Sequence, residues 1–215
     1  LGAIEDWQAE WKWDGIRAQV IKREDRVFIW SRGEELVTEK FPEIVPAAEK
    51  LPNGTALDGE ILAWEDDRPL NFAELQRRIG RKNIGPKLLK EVPVVLMAYD
   101  ILEVDGQDVR HRPLTRRFEA LTQILKALPD KQILKISPVT AGSWHQLAEA
   151  REQARIRGVE GLMLKRLSSP YRVGRRRGDW WKWKVDPLMI DAVLLYAQRG
   201  HGRRSGLYTD YTFAV

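Results

Sequence analysis

The chain has 215 residues, 43% of them hydrophobic and 31% charged, and contains no cysteine. Such a composition buries a sizeable core and excludes intrinsic disorder, collagen, coiled coil, a disulfide framework, thiolate metal sites and cysteine nucleophiles. The formal charge of +5 is unevenly spread: residues 1–159 carry 25 basic against 26 acidic side chains, residues 160–215 carry 11 against 5, and a local excess of that kind suits phosphate partners.

In chain order, residues 9–31 read as strands, with β-formers Val20, Val27, Phe28, Ile29 and Trp30 and a hairpin turn at Glu24-Asp25. Thr38 to Leu51 has helical spacing that Pro42 and Pro46 limit. Residues 57–64 form a strand entered from the turn Pro52-Asn53-Gly54. Asn71 followed by Glu74 starts a helix that Gly80 stops. Val92 to Leu102 is a buried-type strand ending in the turn Asp105-Gly106. Leu114, Phe118, Leu121 and Leu125 recur at helical spacing within Pro113–Leu128, and Ser143 with Gln146 predicts a capped helix ending at Gly158. Short strands are expected at 161–165, 180–185, 189–197 and 207–214. The mixed order, without βαβ alternation, predicts an α+β fold of antiparallel sheets flanked by helices. Pro187 marks a boundary, after which residues 189–215 read as an incomplete β unit. Leu1 as the first residue reads as the start of a piece cut from something longer. No apolar run reaches membrane-spanning length, and no signal-peptide pattern opens the chain.

Several sites are excluded at once. There is no GxxxxGK[ST] loop and no GxGxxG opening a helix. His111, His145 and His201 stand far apart and read as surface residues, against a histidine-based zinc site. Three segments carry chemistry instead. Strand alternation across Glu10-Trp-Lys-Trp-Asp-Gly-Ile-Arg17 places Glu10, Lys12 and Asp14 on one face and Trp11 and Trp13 on the other. A surface strand with cross-strand ion pairs fits this segment equally well. Asp58-Gly59-Glu60 and Glu160-Gly161 join carboxylates to glycine near strand ends, a pattern of turns as well as of metal ligands. Asp179-Trp-Trp-Lys-Trp-Lys184 aims Lys182 and Lys184 the same way, an arrangement that calls for an anion between them.

Together these segments resemble the motifs of the covalent nucleotidyltransferase superfamily, and specifically of bacterial-type ATP-dependent DNA ligases. K-x-D-G-x-R stands at Lys12–Arg17, Ser31-Arg32-Gly33 and Asp58-Gly59-Glu60 follow, and Met97-Ala-Tyr99-Asp100 is the aromatic strand. Glu160-Gly161-Leu-Met163-Leu-Lys165 and Trp181-Lys182-Trp-Lys184 complete the order across residues 10–186. The resemblance implies an ATP-grasp-like nucleotidyltransferase domain over residues 1–186, then a hinge and the truncated start of an OB-fold over 187–215. It implies Lys12 as the nucleophile that takes AMP from ATP, with its amine made available by desolvation and by Lys182 and Lys184, which also neutralise the α-phosphate. Glu60 and Glu160 would hold Mg²⁺ or Mn²⁺, and Glu60, as the third-motif carboxylate, would also serve the ribose of the bound nucleotide. Arg17 and Arg32 would contact ribose and phosphate, Tyr99 and Met163 would enclose adenine, and Glu10 would read its edge. Tyr99 and Met163 fit a core role as well, Asp14 and Asp58 read as structural acceptors, and Trp7, Trp30, Trp64 and Trp144 as packing. Arg172, Arg175, Arg176 and Arg177, with Lys165, read as a solvated loop or, for the Arg175–Arg177 run, as DNA-backbone contacts.

By the same resemblance the partner is nicked double-stranded DNA, sealed in three transfers by a monomer in the bacterial cytoplasm, at the nucleoid. Against that resemblance the C-terminal OB-fold would be incomplete and an N-terminal DNA-binding domain would be absent, so the chain alone is expected to seal nicks poorly. RNA ligases and mRNA-capping guanylyltransferases share K-x-D-G, and a non-catalytic DNA-binding module is the alternative from another class.

Overall fold

A computed structural model describes every residue except Leu1, Lys82, Asp130, Lys131, Arg175 and Leu188. The chain divides into two compact units, Leu1–Val185 and Asp186–Val215. In the first, the strands are β1 (Trp7–Trp11), β2 (Ile16–Arg23), β3 (Arg26–Ser31), β4 (Thr55–Glu65), β5 (Arg68–Pro69), β6 (Val94–Val104), β7 (Gln107–Asp108), β8 (Leu134–Lys135), β9 (Pro138–Val139), β10 (Gly161–Arg166) and β11 (Trp180–Lys184). Its helices are α1 (Ile44–Ala48), α2 (Phe72–Ile79), α3 (Pro86–Glu91), α4 (Leu114–Ala127) and α5 (Trp144–Glu152). The second unit is a hairpin of β12 (Val193–Arg199) and β13 (Tyr208–Ala214).

Two sheets make the first unit. The larger runs β3-β2-β4-β6-β7, with β5 on β4 and β8 on β6; the smaller runs β11-β10-β1-β9. All pairings are antiparallel except the short β6–β8 ladder. Two-residue turns with positive φ close three hairpins: Glu24-Asp25, Asp66-Asp67 and Asp105-Gly106, the geometry that follows the strands' own twist. The main core lies on one face of the large sheet, where Val20, Ile29, Leu57, Leu96 and Ile101 meet Ile44 of α1 and Leu121 and Leu125 of α4. Trp7, Ala9, Leu162 and Leu164 of the small sheet pack on Leu147 of α5. Asn71 caps α2 by accepting from the Ala73 amide, and Ser143 caps α5 by accepting from that of Gln146.

One irregularity matters for the site. Between β4 and β6 the register passes from Gly59–Ala98 to Asp58–Asp100, which leaves Tyr99 as an extra residue in a β-bulge. Along β6 the main-core positions accordingly run Val94, Leu96, Ala98 and then Ile101.

Several expectations need correction. β1 ends at Trp11, so Lys12 and Asp14 lie beyond it. Trp11 and Trp13 do not share a face: Trp11 packs with the small-sheet cluster, Trp13 with Leu62, Val95 and Met97. The helix expected to reach Gly158 stops at Glu152, and hydrogen-bonded turns fill 153–158. The region 38–51 holds one 3₁₀ turn and the short α1, as its prolines dictate. β12 begins at Val193 rather than 189. Trp30 is 39% exposed, not a packing residue.

Candidate active site

Strand register assembles the site from both sheets. Across the small sheet Glu10 of β1 lies opposite Met163 of β10, which lies opposite Lys182 of β11. On the large sheet Arg17 of β2 lies opposite Glu60 of β4. Cross-strand neighbours share a face. These residues, with Trp11, Lys12, Trp13, Arg32, Tyr99, Lys165 and Trp180, line one cleft of about 270 Å³.

Lys12 sits where the chain leaves β1. Its amide donates to the Gly161 carbonyl and its carbonyl accepts from the Glu160 amide, both at 2.9 Å. Its ammonium pairs with Glu160 Oε2, and Glu160 Oε1 receives Lys184 Nζ at 3.0 Å. Partial desolvation opposes ionisation of Glu160, but the hydrogen bonds from Lys12 and Lys184 outweigh it and hold its carboxyl below the usual range. Glu160 thus bridges Lys12 and Lys184. Glu60 contrasts with this. Desolvation pushes its pKa up to about 7 against the opposing pull of Lys12, with Asp58 adding to the rise. A half-buried carboxylate raised this far is short of countercharge.

The floor of the cleft holds a second ion pair. Lys165 Nζ stands 2.7 Å from Glu10 Oε2, both side chains being buried, and Gln8 donates to the other Glu10 oxygen at 2.6 Å. Burial drives the Glu10 pKa up, and Lys165 counters it. The Lys165 ammonium also lies 4.4 Å from the Tyr99 ring centre and 4.5 Å from that of Trp180. Lys165 is therefore part of the pocket and not of a solvated loop. Alternation from Met163 along β10 already points there.

Asp58 is fully buried and accepts from Arg17 Nε (3.2 Å) and Nη2 (2.7 Å), from the Tyr99 hydroxyl (3.1 Å) and from the Tyr171 hydroxyl (2.6 Å). It acts as the structural acceptor expected of it. Tyr171 was not anticipated, because nothing local in the sequence marks it.

Arg172 and Arg176 line a smaller cavity with Arg17, Tyr171, Asp179 and Trp180, and Arg172 Nε lies 3.5 Å from Asp179. Arg177 is exposed; Arg175 lies outside the described residues. Lys184 and Glu160 are not among the residues that line the cleft, though Glu160 contacts Lys12, which is. Among the described residues no group of three or more His, Asp or Glu is placed to hold a metal ion. No helix among them is long and apolar enough to cross a membrane.

Gly161 lets β10 and β11 approach closely. Its φ is +132°, and a Cβ there would fall 2.3 Å from the Trp183 carbonyl oxygen. Gly161→Ala is expected to lower stability by roughly 1–3 kcal/mol and to displace Lys12 with its neighbour strand, measurable together by urea unfolding and nucleotide binding.

Comparison with known proteins follows this geometry. The chain is 39% identical to the Koribacter versatilis protein named "Probable DNA ligase", over 95% of this chain and 39% of that one. It is 35% identical to "DNA ligase 1" of Korarchaeum cryptofilum, over 96% and 38%. It thus spans about two fifths of either relative. A solved mycobacterial DNA ligase D, itself complexed with ATP and MES, superposes with a TM-score of 0.66 at 27% identity, covering 83% of this chain and 54% of that one. Residues 3–184 match the family model described as the ATP dependent DNA ligase domain, and the chain belongs to that family.

Proposed function

We propose that this chain is the catalytic core of an ATP-dependent DNA ligase, with residues 1–186 as the nucleotidyltransferase domain and 187–215 as a hinge and the first strands of an OB-fold. The observation that carries the reading is Lys12 on the wall of a cleft that also presents the carboxylates Glu10 and Glu60, the cations Arg17, Arg32, Lys165 and Lys182, and the Tyr99 ring. Lys12 Nζ attacks the α-phosphorus of ATP. The P–N bond forms as the P–O bond to pyrophosphate breaks, and the proton the ammonium must lose passes to solvent, with the neighbouring charge of Lys182 favouring its release. Lys182 and Arg32 meet the charge that develops on the phosphate oxygens. Tyr99 and Met163 flank the base, Glu10 reads its edge, and Arg17 faces ribose and phosphate. AMP then passes to the 5′-phosphate at a nick in duplex DNA, and the 3′-hydroxyl displaces it.

Divalent metal suits the two acidic positions. Burial holds Glu60 above the usual carboxylate range despite the nearby charges of Lys12 and Arg17, which a bound cation would reverse, and Glu160 supplies a second hard oxygen donor. Mg²⁺ or Mn²⁺ held by Glu60 and Glu160 would screen the triphosphate and favour departure of pyrophosphate. The exposed arginines Arg172, Arg176 and Arg177, with Arg175, are assigned to the DNA backbone. The enzyme is read as a monomer of the bacterial cytoplasm, acting at the nucleoid.

Incubation with α-³²P-labelled ATP or GTP and Mg²⁺, followed by denaturing electrophoresis, tests this. Label from ATP that survives denaturation and disappears with chelator is the expected result. Label only from GTP would reassign the chain to capping chemistry, and no label from either would leave a DNA-binding module.

A further inference from the structure

Arg17 borders the nucleotide cleft and also two neighbouring cavities, one shared with Arg172 and Arg176, the other with Arg32, Arg110 and Arg172. Its side chain is 40% exposed, and a long side chain at such a crossing has several rotamers open to it. The structure closes most of them. Arg17 presents Nε and Nη2 to the buried Asp58, and the same Nη2 donates to the Tyr171 hydroxyl at 2.5 Å. The Tyr171 hydroxyl in turn donates to Asp58 Oδ2 at 2.6 Å. Arginine, tyrosine and aspartate thus form a closed ring of hydrogen bonds.

The tyrosine is itself immobilised. Its amide donates to the Arg110 carbonyl at 2.8 Å. Its ring meets Trp180 edge-on, with centroids 5.8 Å apart and planes at 83°, and the Arg117 guanidinium lies 6.0 Å over it. Burial and the charge of Asp58 push its hydroxyl pKa up, so it stays protonated and able to donate. We propose that Tyr171 is a positioning residue for Arg17: it fixes the guanidinium at the cleft mouth before nucleotide arrives, and ties that orientation to the arginine-bearing segment that starts at Tyr171 itself. A guanidinium held this way has already lost its rotamer entropy, so less of the ligand's binding free energy goes into ordering it.

The proposal rests on the nucleotidyl-transfer reading, and a double-mutant cycle on the full chain separates the two. Tyr171→Phe, Arg17→Met and the pair are compared by the KM for ATP in covalent labelling, the maximal labelling rate, and equilibrium binding of a fluorescent ATP analogue. Tyr171→Phe keeps the ring contacts and removes only the hydroxyl. It is expected to raise KM about 5- to 20-fold while the maximal rate changes by less than about threefold, and to add nothing once Arg17 is Met. Equal effects in both backgrounds, an unchanged KM, or a lowered melting temperature with KM unaltered would each overturn it. Wild-type labelling alongside an indifferent Tyr171→Phe sinks this proposal alone. A wild-type chain that neither binds the analogue nor takes label sinks the site reading and this proposal together.

Discussion

Lys12→Arg is expected to fold, to keep a cation against Glu160, and to lose covalent labelling from ATP by at least about a thousandfold. The argument separates charge from nucleophilicity. The Lys12 ammonium is paired with Glu160, which Lys184 also holds, and a guanidinium preserves that electrostatic pattern. It cannot supply a neutral amine, because its proton is not released in the accessible pH range. Equilibrium binding of ATP should therefore change far less than the labelling rate. Filter-retained label against time gives the rate, and calorimetry gives the binding. A variant that still labels within tenfold of wild type would remove Lys12 from the role of nucleophile.

The second large effect lies behind the site. Arg117 of α4 and Asp100 of β6 form an ion pair with no solvent exposure on either side chain. Arg117 Nε and Nη2 reach the two Asp100 oxygens at 2.7 and 2.9 Å, and Nη1 donates to the carbonyls of Arg112 and, at 3.0 Å, of Ser169. Asp100 Oδ1 also accepts the Ile101 amide at 2.9 Å. Arg117→Met leaves this carboxylate buried without its partner, at an expected cost of about 3–5 kcal/mol. Asp100→Leu combined with Arg117→Met removes both charges and should recover a large part of that loss. Urea unfolding followed by tryptophan fluorescence reads both. A single variant within about 1 kcal/mol of wild type would show that water reaches the pair.

Sequence and structure agree where chemistry is local to a strand, and part where it is assembled across strands. Motif order alone identified Lys12, Glu60, Tyr99 and Lys182, and antiparallel register then brought them to one cleft. Hairpins were legible because Glu24-Asp25 and Asp105-Gly106 tolerate positive φ. The missed features share one trait, a partner distant in sequence. Arg117 reads as a surface residue on an amphipathic helix until Asp100 is seen beneath it. Tyr171 stands in an arginine-rich loop until Asp58 and Arg17 are seen to bracket its hydroxyl. Lys165 looked solvated because its carboxylate partner Glu10 is the best part of the chain away. Alternation also failed at Lys12, where β1 has already ended and the backbone is held by Gly161 and Glu160.

The bulge at Tyr99 has a consequence for how this strand tolerates editing. Upstream of it the core side of β6 is read by Val94, Leu96 and Ala98, downstream by Ile101. The single extra residue works as a phase-shifter that lets one strand serve the core behind the sheet and the cleft in front of it. Removing Tyr99 would make Ala98 and Asp100 consecutive ladder partners of Gly59 and Asp58. Asp100 and Ile101 would keep the partners and sides they now have, and the loss would fall on the cleft, which would be left without the Tyr99 ring and hydroxyl. At this place the ladder would close over a deletion without disturbing the core, and the residue is held by what it does in the cleft.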